Sequence, residues 1–150
     1  MDQALDKCTF HMLRDIAWCL SNFKKGEISQ PFELIARAVP ALVRAMQRTD
    51  IDAAGVDIVW GLYYFTQQAS SESLICLVNT VGSVPKLIEL TQHQNLKIAI
   101  PAIRTVGNIV SSDESHLFQS AIEAGTLQVF REMVDHSKAV IRKEVCLCIQ

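Results

Sequence analysis

Asp15, Trp18 and Asn22 stand at i, i+3 and i+7, so on a helix they share one stripe. A carboxylate, an indole and a carboxamide in a row suit an extended cationic peptide. The acid attracts the charge, the indole face accepts it through its quadrupole, and the amide pairs with backbone whatever the side chain. The same three positions return as Asp57, Trp60 and Tyr64, then as Pro101, Arg104 and Asn108, then as Glu144 and Leu147. The first position advances by 42, 44 and 43 residues. An interval of that size marks stacked helical repeats, in which each unit buries its apolar face only against its neighbours.

The elements that must carry these stripes follow from the punctuation. A helix from about Thr9 to Lys24 places Leu13, Ile16, Ala17 and Leu20 opposite the stripe, and Lys24-Lys25-Gly26 closes it. Phe32 to Ala38 and Pro40 to Arg48 read as two short helices, the second with proline in its first turn, followed by a longer helix from Asp50 to Gln67. The scheme repeats as Ser71 to Asn79, a break at Gly82-Ser83, Val84-Pro85 opening a helix to Thr91, and Asn95 to Ser111. It repeats again from Glu114 through Ala124-Gly125, Thr126 to His136, and a helix from Lys138 still running at Gln150. Each long helix is apolar away from its stripe: Ile58, Val59, Leu62 and Phe65 in one, Ala102, Ile103, Val106 and Val110 in the next. Pro101 is expected to bend that second helix or cost it a hydrogen bond, and Gly107 to weaken it further. The predicted fold is an all-α solenoid of about three and a half three-helix units, at 1–25 (partial), 31–67, 71–111 and 114–150 (partial). It reads as a fragment of a longer array, since neither end shows a polar capping unit.

The 150 residues are 49% hydrophobic, with net charge -2 and a pI near 6.1, which argues against a nucleic-acid partner. No apolar run is long enough to be a signal peptide or to span a bilayer, so a soluble, intracellular chain without membrane contact is expected. The five cysteines are odd in number and include no CxxC pair, which predicts free, buried thiols in a reducing compartment. His11, His93, His116 and His136 have no ligand spacing and are expected to be solvated. With no base-and-orienter motif around a serine or cysteine and no glycine-rich phosphate loop, neither catalysis, cofactor nor metal is expected. The weakest alternative, a cysteine hydrolase built on Cys76 or Cys146, would require an activated thiolate.

The three-helix units, the entry Gly82-Ser83-Val84-Pro85-Lys86-Leu87 and the Trp-x-x-x-Asn of Trp18 and Asn22 resemble armadillo repeats. The closer resemblance is to the importin alpha family, carried by Ala17-Trp18-Cys19-Leu20-Ser21-Asn22, by Val59-Trp60-Gly61-Leu62-Tyr63-Tyr64 and by Pro101-Ala102-Ile103-Arg104-Thr105-Val106-Gly107-Asn108-Ile109-Val110. That resemblance implies a right-handed superhelical armadillo solenoid. It also implies a nuclear import adaptor of cytoplasm and nucleus that binds lysine-rich localisation signals in extended form along a concave Trp/Asn groove. Carried over by motif, Trp18, Asn22, Asp57 and Trp60 become the trailing part of the major cargo site, with Asp15 adding charge. Arg104, Asn108 and Glu144 become the start of the minor site, Tyr64 lies in the bridging repeat, and Asp113 is a shifted match. Leu147 departs from the family, which carries tryptophan there; it can pack on an aliphatic stem but has no quadrupole. The family's basic arm for importin beta is absent from these residues, so that partnership is not expected.

The residues leave alternatives open. Each indole either packs in the core or faces the groove. Asn22 and Asn108 pair with peptide or with neighbouring loop backbone, and Arg104 ties adjacent repeats through an acid or touches cargo backbone. The competing functions are another armadillo scaffold, with a basic groove for an acidic or apolar segment, and a truncated, cargo-impaired relative.

Overall fold

The structure is a computed structural model that describes residues 15, 18, 19, 22, 32–48, 55–67 and 71–149. Of the first long helix, Asp15, Trp18, Cys19 and Asn22 are described and all four are helical; its expected ends and its apolar face lie outside the described residues. Among the described residues there follow α1 (Phe32–Met46), α2 (Gly55–Gln67), α3 (Ser71–Asn79), α4 (Ser83–Thr91), α5 (Leu96–Val110), α6 (Ser115–Glu123), α7 (Thr126–Met133) and α8 (Ala139–Cys148). None of them is long and apolar enough to cross a membrane.

Two glycines divide the outer helices. Gly82 sits at φ 74° before α4 and Gly125 at φ 93° before α7. The left-handed region is open to glycine because it has no Cβ, so the chain can turn sharply between α3 and α4 and between α6 and α7. The first unit is different from its expected form: Phe32–Met46 is one continuous helix with Pro40 inside it. The reason lies upstream of the proline. Aligning Val39-Pro40 with Val84-Pro85 puts Arg37 where the next unit has Gly82, and a side chain there resists the left-handed turn that would break the helix. Gln47, just past α1, donates its Nε2 to the Val81 carbonyl at 2.7 Å and so braces the Gly82 turn from the preceding unit.

The long inner helices form the spine. α5 packs between α2 and α8, against α4 within its own unit and against α6 of the next. Asn95 caps α5, its Oδ1 accepting the Lys97 N–H at 3.0 Å. α5 continues through Pro101, whose carbonyl accepts the Thr105 hydroxyl at 2.8 Å. Gly107 has a packing role rather than a weakening one: a Cβ built on it would lie 2.4 Å from Cys148 Sγ and 3.0 Å from Cys148 Cβ. Only hydrogen at that position lets α8 approach so closely. α8 ends at Cys148 with Ile149 as its C-cap, and Gln150, to which the expected helix runs, lies outside the described residues.

The apolar faces read from the pattern are the core. Ile58, Val59, Leu62 and Phe65 are buried, as are Ala102, Ile103 and Val106, with Val110 packed at the margin. They join Leu42, Leu77, Leu87, Leu117 and Ile141 in one cluster that runs through successive units, the continuous core a stacked array requires. The cysteines are less uniform than expected. Cys76 and Cys148 are half-buried and free, whereas Cys19 and Cys146 are free and exposed, Cys146 because it falls off the buried face of α8; Cys8 lies outside the described residues. The histidines also differ. His93 and His136 are half-buried, one repeat apart, and each Nδ1 accepts the backbone N–H two residues on, from Asn95 at 3.1 Å and Lys138 at 3.0 Å. They order the turns into α5 and α8; His116 is exposed.

Candidate peptide-binding ladder

The stripe residues of α2, α5 and α8 meet because those three helices are stacked. Arg104 of α5 reaches across to Glu144 of α8 in a two-pronged pair, Nε to Oε2 and Nη2 to Oε1, both at 2.7 Å. On its other side the guanidinium carbon lies 5.6 Å from the centroid of the Tyr63 ring and 6.0 Å from that of Trp60, within cation-π range. One side chain thus links three consecutive units. Glu144 is only 6% exposed. The hydrogen bonds from Arg104 outweigh that burial and hold its carboxyl below the usual 4.5, and the same bonds push the guanidinium pKa up. Both groups stay charged, and the pair is neutral as a unit.

Around Trp60 the rings form a cluster. Tyr63 meets Trp60 edge-on at 5.6 Å between centroids, Tyr64 is tilted against it at 5.6 Å, and the two tyrosines are 5.5 Å apart. Trp60 is half-buried with Asp57, whereas Trp18 is 57% exposed on its helix beside exposed Asp15. Neither indole is interleaved in the main cluster of buried side chains. The two asparagines turn to side-chain and local partners rather than to loops. Asn22 donates Nδ2 to the Trp18 carbonyl at 2.9 Å, one turn back. Asn108 donates Nδ2 to Thr66 Oγ1 at 3.1 Å. Thr66 spends its own proton on the Tyr63 carbonyl at 2.9 Å, so it can only accept from Asn108, and the Asn108 amide is oriented with its Oδ1 away from Thr66.

Beyond the Arg104–Glu144 pair lies a recess of about 300 Å³ lined by Tyr63, Arg104, Gly107, Asn108, Ser111, Glu144, Leu147 and Cys148. Of the expected stripe residues, Trp60, Tyr64, Arg104 and Glu144 are linked by contacts of 6.0 Å or less across α2, α5 and α8, and Asn108 joins α2 through Thr66. Asp57 shares α2 with them, and Asp113 is exposed past the end of α5. Asp15, Trp18 and Asn22 share their own helical stripe. Tyr63, Thr66 and Cys148 are the members that stripe reading misses. None of the three carries a periodic mark: the stripe advances by 44 residues from α2 to α5, which matches Asn108 to Tyr64 and leaves Thr66 two residues off register, while Tyr63 and Cys148 lie on the flank of the stripe.

No group of three or more His, Cys, Asp or Glu among the described residues is arranged to hold a metal. The two half-buried thiols are not activated: burial pushes Cys76 upward and Cys148 to about 11, the direction opposite to a nucleophilic cysteine.

No family model matches the chain. Curated relatives do. It is 33% identical over 147 residues to importin subunit alpha-3 of Arabidopsis thaliana, covering 97% of this chain and 27% of that protein. It is 35% identical over 139 residues to importin subunit alpha-1a of Oryza sativa subsp. japonica (92% and 26%), and 37% identical over 138 residues to importin subunit alpha-4 of Arabidopsis thaliana (92% and 25%). The chain therefore spans about a quarter of the length of these relatives. In fold it is similar to a designed armadillo repeat protein solved in complex with the peptide (KR)4, with TM-score 0.82 at 19% identity over 97% of this chain and 59% of that one. A computationally designed armadillo repeat protein for modular peptide recognition gives TM-score 0.80 at 19% identity, over 97% and 60%. A ladder of inner helices, glycine-divided outer helices and sequence similarity along nearly the whole chain lead to one conclusion: this is an armadillo-repeat solenoid related to the importin alpha subunits.

Proposed function

We propose that the ladder binds an extended, lysine-rich peptide of the nuclear-localisation type, as part of a nuclear import adaptor moving between cytoplasm and nucleus. The observation that carries this reading is the aromatic cluster of Trp60 and Tyr63 with a guanidinium already against its rings at 6.0 and 5.6 Å. A surface that holds one cation by its quadrupoles is chemically suited to another on the exposed indole of Trp18. Asn22 and Asn108 offer amide oxygens to peptide N–H groups, and Asp15 and Asp57 supply negative charge. The relatives named above and the (KR)4 complex of the designed neighbour support the same chemistry. Binding needs no catalytic step.

With one exposed indole and two amides, at roughly 1 kcal/mol net per hydrogen bond, affinity is expected in the high-micromolar to millimolar range. Polarisation titration with a bipartite lysine-rich peptide measures it. Weakening by Trp18→Ala and Trp60→Ala together is the expected result. Nanomolar affinity, or binding indifferent to that double substitution, would overturn the assignment. A basic groove for acidic segments is disfavoured, because the one stripe arginine is neutralised by Glu144.

A further inference from the structure

We propose that the recess beside Leu147 takes an uncharged aliphatic side chain of the bound peptide and turns lysine away, so the ladder reads a cationic residue at its indole end and an apolar one further along. This rests on the reading of the stripe as a peptide groove.

Three features of the recess bear on it. The first is charge. The acid in its wall, Glu144, has both oxygens taken by Arg104 at 2.7 Å, and Asp113, the nearest acid in sequence beyond α5, is not among the residues that line it. An ammonium entering here must displace a two-pronged guanidinium or lie beside it without a counter-ion; both cost the desolvation of a charge. The Arg104 side chain is 36% exposed against 8% for that of Glu144, so the paired wall offers an entering ammonium no uncompensated negative charge.

The second feature is the missing ring. Leu147 holds the position that Trp18 and Trp60 hold on their helices, and it is 55% exposed. It offers dispersion and apolar area but no quadrupole, so a cation gains nothing from it that an alkyl chain does not. Cys148 beside it is protonated at neutral pH, its pKa raised to about 11 by burial, and behaves as a small apolar group. The third is the amide. Asn108 is held by Thr66 at 3.1 Å, which leaves its oxygen to accept a peptide N–H and set the peptide's register over the recess.

Norleucine has a straight aliphatic side chain like that of lysine without the ammonium, so a scan that replaces each lysine of the bipartite peptide by norleucine, read by polarisation against the whole chain, isolates the effect. Substitution is expected to weaken binding at most positions. At the one position over Leu147 it is expected to tighten binding by about fourfold, the effect of roughly one more buried methylene, and Leu147→Ala is expected to abolish that gain. Weakening at every position overturns the inference, and so does a gain that survives Leu147→Ala; the groove reading still stands in both cases if Trp18→Ala with Trp60→Ala weakens the parent peptide. Indifference of all peptides to the two indoles overturns both.

Discussion

Arg104 and Glu144 are unequal partners, and that inequality can be measured. Arg104→Ala strands a carboxylate that is 6% exposed, whereas Glu144→Ala strands a guanidinium whose side chain is 36% exposed and can turn to water. Removing one member of a buried pair costs about 3 kcal/mol or more when the survivor stays dry, and for a chain of this size that lowers Tm by roughly 6 to 12 °C. The arginine substitution should approach that figure, with the loss of ring contacts included. The glutamate substitution should cost about 1 to 1.5 kcal/mol, the worth of a charge-assisted hydrogen bond to a group that rehydrates. The double variant should cost less than the sum by about 1 to 2 kcal/mol.

The pH dependence carries the sign. In the parent chain the Glu144 pKa is lowered below 4.5, so its contribution is full above that value and is lost as pH falls through the folded pKa. In Arg104→Ala burial outweighs the remaining, weaker attraction of Lys143 and raises the folded pKa, so the penalty grows as pH rises above the unfolded value. Both trends make the gap between parent and variant widest near neutrality and narrowest in acid. Urea unfolding followed by circular dichroism at several pH values between neutrality and pH 4 reads the gap directly. Equal, small losses for the two single variants with no pH trend would refute the reasoning, since that is how an exposed surface pair behaves.

Gly107→Ala gains helix propensity worth about 1 kcal/mol but drives a Cβ to 2.4 Å from Cys148 Sγ, so a net loss of about 1 to 2 kcal/mol is expected in thermal melts, in line with overpacking. Cys148→Ala should relieve most of it; a stabilising Gly107→Ala in the parent chain would mean α5 and α8 do not approach so closely. Thiol labelling at pH 8 should separate the cysteines: Cys146 is exposed and Cys148 has a pKa of about 11, so mass spectrometry should find Cys146 modified at least about tenfold faster. Equal rates would contradict the burial of Cys148.

Much of the fold is legible in the residues because repeats are local. The advance of the stripe from Asp15 to Asp57, Pro101 and Glu144 requires only counting, and the apolar faces opposite it on α2 and α5 are the buried faces in space. The first unit escaped that reading. Val39-Pro40 looks like Val84-Pro85, yet the break is made by Gly82 at φ 74°, three residues before its proline, and Arg37 at the matching place allows no such turn. A motif shared at the proline concealed a difference at the glycine.

What the sequence determined alone is the period, the division of each long helix into an apolar face and a stripe, and the residue types on that stripe. These depend on helix geometry within a single unit. Only the tertiary structure decided which of two roles Arg104 takes first, since its tie to Glu144 depends on the rise and rotation between α5 and α8 rather than on any local pattern. The same holds for Asn108, which finds Thr66 on α2, and for Gly107, which looks like a weak point in one helix and is the contact surface for another. Contacts between residues a repeat apart are set by how units stack, and stacking is a property of two units that neither carries by itself.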